Sequence, residues 1–305
     1  MAATVRIVPQ EEIGKGTADV PVLRLAGGGA FAARAARLRQ LAAREAAASG
    51  YLELMAALAD AQHAALASHP KSKEPLSAQL EQRRSHGMPP LGGRDRASAW
   101  REVLDAIGQR IAPRLPETAA ALLRGLSTAS HGFVENLADR ILDFDYPGLD
   151  ARVVPFVGAA LQVHWLHRAA MLGEAAFPRL EVANVCPVCG SPPVAAALHV
   201  DVPTPGSRYL HCALCASSWH VPRGQCTQCE TRGKLAYFHI EGGAETVKAE
   251  ACEECRAYLK IVNRQRDPLA DPVADDLATL ALDVLMDESG YQRAAPNLFF
   301  VPGQT

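Results

Sequence analysis

The chain has 305 residues, 49% of them hydrophobic and 21% charged, with a net charge of -2. That excludes a disordered or fibrous protein and leaves room for about two domains. The charge is unevenly placed: residues 181–305 carry 10 Lys/Arg against 15 Asp/Glu, leaving 21 against 18 for residues 1–180, so the C-terminal part is too acidic for phosphate-backbone binding.

Met1–Arg6 lacks a basic run followed by an apolar segment, so no secretory signal is visible. The longest apolar stretch, Val153–Val163, contains Pro155 and Gly158 and is too short to span a bilayer. A soluble cytoplasmic protein with no membrane insertion is expected. Gly14-Lys15-Gly16-Thr17 is not a P-loop. Val20–Leu25 reads as a strand, and Gly27, Gly29 and Ala32 formally fit a dinucleotide-binding turn. The residues after that turn read as helix upon helix, with no second strand ending in an acidic residue, which discards a nucleotide fold.

Residues 1–180 read as an all-α helical domain. Phe31–Ser49 is rich in Ala, Leu and Arg, and Tyr51–His69 places Leu54, Leu58, Ala61 and Ala65 on one face. Residues 70–96, with Pro70, Pro75, Pro89, Pro90, Gly92 and Gly93, read as a loop. Helices are expected at Ser98–Ala112, Glu117–Ala129, Gly132–Asp143 and Val153–Leu172, packed as an up-and-down bundle. His164 and His167 lie on the last of these without acidic or cysteine companions and read as satisfied core or surface histidines.

All eight cysteines lie beyond this region as four Cys-x-x-Cys pairs: Cys186/Cys189, Cys212/Cys215, Cys226/Cys229 and Cys252/Cys255. Adding 40 to the first four numbers gives the last four, so the unit Cys-x2-Cys-x22-Cys-x2-Cys stands twice in tandem. Two sulfurs of one knuckle face one ion, and two knuckles complete a closed tetrahedron of structural type. The reading is two four-thiolate metal sites on duplicated small β modules, 181–224 and 225–268, with a C-terminal helix and tail at 269–305. Each module is about the size that seldom folds without such a staple. Sequential pairing is expected because it makes each repeat self-contained; cross-braced pairing is the alternative. A redox dithiol uses one such pair, a disulfide framework needs an oxidising compartment, and an iron–sulfur cluster fits the 22-residue spacing less well. Tetrahedral S4 accepts iron or zinc equally. Only the first knuckle carries a glycine directly after it, Gly190, where positive φ is useful. His211 and His220 flank the second knuckle and read as hydrogen-bonding neighbours.

Strands are expected at Val194–Val200 and Leu235–Ile240, equivalent places in the two repeats where His199 aligns with His239, and at Ala257–Asn263 with its counterpart Ser217–Arg223. Each repeat would then be a small antiparallel unit. In the tail, Asp271 can cap a helix with Pro272 in its first turn, Asp275 and Asp276 suit its positive end, and Val273, Leu277, Leu280 and Val284 form its apolar stripe. No nucleophile elbow or zinc-protease motif occurs, and no active site is visible, so the chain reads as a non-enzyme.

Cys186-Pro-Val-Cys-Gly, Arg208-Tyr209-Leu210-His211-Cys212-Ala-Leu-Cys215, Trp219-His220, Cys226-Thr-Gln-Cys229 and Lys248-Ala249-Glu250-Ala251-Cys252 resemble the formate dehydrogenase accessory proteins of the FdhE family. So do Ala274-Asp275-Asp276-Leu277-Ala278, Gly290-Tyr291 and Asn297-Leu-Phe299, with looser matches at Arg6–Gln10, Arg37-Leu38-Arg39 and Pro89-Pro90-Leu91. The resemblance implies a cytoplasmic assembly factor that contacts the catalytic subunit of respiratory formate dehydrogenase. It also implies rubredoxin-like, iron-binding knuckles, which tilts the metal toward iron with zinc as alternative. The expected fold class is α+β: a helical domain, two tandem rubredoxin-like or zinc-ribbon β modules, and a terminal helix. The rival from another class is a zinc-ribbon nucleic-acid-binding regulator, which the acidic balance opposes.

Overall fold

The computed structural model describes residues 20–69, 77–94, 96, 98–200, 203–243 and 245–300. The readings at Met1–Arg6, Arg6–Gln10 and Gly14–Thr17 lie outside them. The helices are α1 (Ala30–Ala42), α2 (Ser49–Ser68), α3 (Ala78–Ser85), α4 (Ala99–Ile111), α5 (Glu117–Thr128), α6 (His131–Leu142) and α7 (Val154–Leu172). α7 is apolar on every side, which makes it the central helix; α2, α4 and α6 pack against it. Pro155 sits in its first turn, where its missing N–H costs nothing. Gly158 lets the tail pass: a Cβ there would lie 3.2 Å from Leu298 Cβ. Among the described residues no helix is long and apolar enough to cross a membrane.

Two helical boundaries differ from expectation. α1 stops at Ala42, not Ser49, because residues 43–47 are all exposed and offer nothing to bury. The stretch expected to be a loop contains α3. It is capped by the Ser77 hydroxyl, which accepts from Leu80 N at 3.3 Å, and anchored by buried Leu80. Apart from Ala78 its other residues are polar, so it has no hydrophobic period to detect.

The cysteine half forms one eight-stranded sheet: β1 (Leu23–Arg24), β2 (Pro193–His199), β3 (Ser207–Cys212), β4 (Ser218–His220), β5 (Leu235–Phe238), β6 (Val247–Cys252), β7 (Ala257–Asn263) and β8 (Gln292–Arg293). The order is β1-β4-β3-β2-β7-β6-β5, with β8 also on β7. Within each repeat the ladders are antiparallel, as expected. The repeats are not separate units, however. β2 of the first pairs in parallel with β7 of the second, Ala196 opposite Ile261. The expected counterparts Ser217–Arg223 and Ala257–Asn263 also diverge. β4 keeps three residues and pairs with β1 from the N-terminal region, whereas β7 keeps seven and lies in the middle of the sheet. β3 and β6, offset by 40 residues, carry Cys212 and Cys252 at their ends.

One hydrophobic core runs from Phe31 and Leu38 of α1 through Trp165 of α7 to Val188, Leu214 and all four cysteines of the first repeat. A smaller core under the second repeat joins Ala249, Ala251, Tyr258, Leu282, Met286 and Tyr291.

The expected single tail helix is two, α8 (Pro272–Leu277) and α9 (Leu280–Glu288). The break turns the buried face, so Leu282 and Met286 are covered while Val284 is 58% exposed. Asp271 caps α8 as expected, accepting from Val273 N and Ala274 N. Asp275 and Asp276 do more than face a dipole. Asp275 accepts two hydrogen bonds from Arg37 of α1, at 2.9 and 2.6 Å. Asp276 lies 3.2 Å from Lys260 Nζ and accepts from Arg293 Nη2 at 2.6 Å and Asn297 Nδ2 at 2.9 Å. Lys260 Nζ also donates to the carbonyls of Asp276 and Thr279 at the break between the two helices, and to Asp283 Oδ2 at 2.6 Å.

Burial alone would push the Asp276 carboxyl up, but Lys260 and Arg293 overcome it and hold it below the ordinary carboxylate range. A carboxyl depressed by folding contributes stability that is present above its unfolded pKa, about 3.9, and lost as pH falls through the folded value. Asp276→Asn is therefore expected to cost about 2 kcal/mol near neutrality, because it removes one of the two carboxylates facing Lys260 and Arg293 and leaves them Asp283, at 2.6 and 3.1 Å. It is also expected to flatten the acid loss of stability relative to the parent below about pH 4. Urea midpoints of the two proteins from pH 7 to pH 3 measure both effects; parallel curves would refute the pairing.

Candidate metal centres

Each Cys-x-x-Cys knuckle is a tight turn closed by its own backbone. Gly190 N donates to Cys186 O at 2.8 Å, Glu230 N to Cys226 O at 3.1 Å and Arg256 N to Cys252 O at 3.0 Å. The turn needs a left-handed residue directly after its second cysteine. Gly190 (φ 76°) supplies it in the first knuckle, but Ala216 (φ 57°), Glu230 (φ 60°) and Arg256 (φ 60°) adopt the same region in the others. The glycine present at only one knuckle thus conceals four equivalent turns. An L side chain there costs about 1–2 kcal/mol. Ala216→Gly is expected to raise stability by about 1 kcal/mol, read as a shift in urea midpoint without a change in slope.

The turns point sulfurs inward. Val188 N lies 3.4 Å from Cys186 Sγ, Leu214 N 3.3 Å from Cys212 Sγ and Gln228 N 3.3 Å from Cys226 Sγ, as N–H donors that favour thiolate. Cys186, Cys189, Cys212 and Cys215 gather with all sulfurs within 4.8 Å of one another, and Cys226, Cys229, Cys252 and Cys255 do the same. The arrangement is sequential: each cluster takes both knuckles of its own repeat. No histidine joins either cluster among the described residues. His211 Nδ1 lies 3.1 Å from Ser218 Oγ.

The donor sets fit a tetrahedral ion. Cys186–Cys215 and Cys189–Cys212 stand 3.6 and 3.4 Å apart, and Cys226–Cys255 and Cys229–Cys252 both 3.7 Å. Sulfurs bound to one ion at about 2.3 Å in a tetrahedron lie about 3.7–3.8 Å from each other, whereas a disulfide needs about 2.05 Å. Burial pushes the Cys186 and Cys212 thiols well above their ordinary range. A buried set of sulfurs can be anionic together only around a cation. At the second cluster the hydroxyl of Thr231, then its backbone N–H, pull the Cys229 thiol down to about 6. Iron and zinc both suit such a set.

The three segments match three family descriptions in turn. These are "FdhE, N-terminal" over residues 20–181, "FdhE, central domain" over 185–223 and "FdhE, C-terminal domain" over 225–300. The chain is 37% identical to Protein FdhE of Escherichia coli O9:H4 (strain HS) across 99% of both chains. The chain belongs to the FdhE family. It is 38% identical to the Protein FdhE homolog of Serratia proteamaculans (strain 568), over 98% of this chain and 99% of that one. The crystal structure of the FdhE protein from Pseudomonas aeruginosa superposes with a TM-score of 0.84 at 38% identity, covering 93% of this chain and all of that one. The architecture of this FdhE chain is therefore mixed: a helical region and, after it, a β region holding two four-cysteine clusters.

Several residues that build the centres are not cysteines. Arg208 of β3 reaches from the first repeat into the second. It pairs with Glu250 of β6 and donates to Thr227 Oγ1 at 2.7 Å, one residue from Cys226. Tyr237 donates to the same glutamate at 3.0 Å. Over the first cluster, Leu91 N donates to Val188 O at 3.0 Å, Trp165 Nε1 to Leu91 O at 3.0 Å and Gln162 Nε2 to Ala213 O at 2.8 Å. His164 departs from the satisfied histidine expected of it. It is buried, with no hydrogen-bond partner for either ring nitrogen among the described residues, and burial pushes it down to about 3.

Proposed function

We propose that this FdhE chain is a non-catalytic assembly and maturation factor for respiratory formate dehydrogenase. In this reading it acts in the cytoplasm and binds the immature catalytic subunit of that enzyme. The eight cysteines ligate two metal ions, Cys186, Cys189, Cys212 and Cys215 the first, Cys226, Cys229, Cys252 and Cys255 the second. Iron is the favoured metal and zinc the alternative. The helical domain of residues 1–180, the modules of 181–224 and 225–268 and the tail from 269 act as one clamp on the partner.

The observation that carries this reading is the grouping of the sulfurs into two sets of four. All eight sulfurs fall into two groups of four, and four thiolates around one ion leave no open coordination position for substrate. Ions held this way shape a surface. The acidic balance of the cysteine half suits a basic patch on the partner and opposes the nucleic-acid reading.

The test combines composition with genetics. Protein purified without oxygen is expected to hold about two metal ions per chain, with rubredoxin-type visible bands that bleach on reduction if the metal is iron. A strain lacking the protein is expected to lose formate dehydrogenase activity while an unrelated exported molybdoenzyme keeps its own. An equal loss of both activities would refute the specificity, and salt-sensitive retention on DNA would revive the regulator.

A further inference from the structure

The two cysteine clusters have the same spacing and different surroundings. In the first, every cysteine is at most 5% exposed. Its sulfurs lie in the core shared with the helices, under Leu91 and Trp165. The Pro89 ring packs over Gly190, 3.5 Å from where a Cβ would stand, and Gln162 of α7 ties down the second knuckle. In the second cluster only Cys226 and Cys252 are buried. Cys229 and Cys255 are exposed, and so are their neighbours Gln228, Glu230, Glu253, Glu254 and Arg256. β5, the strand on that flank, ends the sheet and has no fully buried residue.

We infer that the two centres differ in kind. The first is a permanent part of the core, and the second is an exchange centre whose ion is reached from solvent at Cys229 and Cys255. The inference rests on the reading of both clusters as metal sites. A thiolate-bound ion leaves when an incoming donor, a thiol or a nitrogen or oxygen chelator, occupies a position as a sulfur departs. That requires room beside the ion. At the second centre the outer two sulfurs stand at the surface, so the donor approaches the folded protein. At the first it must wait for the helices to part from the sheet, an opening close in cost to global unfolding. Atoms balance simply: each released sulfur is protonated or stays on the protein as thiolate, and the ion leaves with the chelator at unchanged oxidation state.

The experiment uses the full chain loaded with zinc and assayed beforehand for two ions. The coloured chelator 4-(2-pyridylazo)resorcinol is added, and circular dichroism is followed in parallel. One equivalent is expected to leave while the spectrum is unchanged, and the second at least about a hundredfold more slowly, with unfolding. Cys229→Ser/Cys255→Ser is expected to abolish the fast equivalent and keep the slow one. Because that variant can misfold, the unaltered protein is also alkylated with N-ethylmaleimide during the fast phase. Mass mapping is expected to find the label on Cys229 and Cys255 before any cysteine of the first cluster. Two ions leaving at one rate, or labels appearing first on Cys186 or Cys215, would overturn the inference while sparing the metal reading. Protein that never binds two ions would overturn both.

Discussion

Cys186→Ser/Cys215→Ser is expected to abolish the cooperative fold, not merely to lower metal content by half. The two sulfurs are 3.6 Å apart and fully buried in the core that also holds Leu38, Trp165 and Leu214. A structural tetrathiolate ion contributes on the order of 10–16 kcal/mol of apparent binding energy to the fold that holds it. Whole domains are stable by only about 5–15 kcal/mol. Two serine hydroxyls would be left buried without the ion, adding a desolvation penalty of about 1–3 kcal/mol each. The expected readout is loss of the near-ultraviolet circular dichroism signal and of the urea transition, including the part reported by Trp165. A variant that keeps a parent-like transition with one ion fewer would show that the first centre is dispensable to the core.

Arg208→Met is expected to be the most damaging single change outside the cysteines, at about 3–5 kcal/mol. Arg208 is 1% exposed and its partner Glu250 is 5% exposed, so removing the guanidinium leaves a carboxylate in a dry site. The same side chain holds the Thr227 hydroxyl and lies 3.4 Å from the carbonyls of Pro222 and Gln225, at the passage from first to second repeat. Replacing both partners by apolar residues, Arg208→Met with Glu250→Leu, is expected to recover most of the loss, because the cost lies in the stranded charge more than in the missing attraction. A double-mutant cycle by urea denaturation measures the coupling. Equal costs for single and double variants would mean that the pair contributes shape alone.

The cysteine clusters are legible because the repeat uses every cysteine at one spacing, a pattern local in sequence. The helices α4 to α7 are legible from proline punctuation and apolar period. α3 is not, since a polar helix held by one leucine and a serine cap has no period. β3 is hidden because Arg208 and His211 break the alternation expected of strands, whereas β6 alternates but is built mainly of Lys, Ala and Glu, which are poor strand formers; the buried polar residues Arg208 and Glu250 pair with each other across the repeats. The parallel junction of β2 with β7 has no local signal at all, and neither does the roof of Leu91 and Trp165. Asp275 and Asp276 read as dipole residues because their cations, Arg37 and Lys260, stand 238 and 16 residues away, where only the fold brings them close. The difference between the two clusters is invisible for the same reason: solvent access is decided by what other segments cover.

The buried arginines of α1 set an order on synthesis. Arg34 and Arg37 are nearly inaccessible, and their counterions Asp267, Asp271 and Asp275 lie more than two hundred residues further along the chain. As the polypeptide leaves the ribosome, the helical half emerges with two cations whose counterions come only with residues 267–275. The ion pairs that bury these cations therefore form late, after α1 and α2 are already available to pack on each other. Chains truncated before Asp267 are expected to be degraded faster than the full chain.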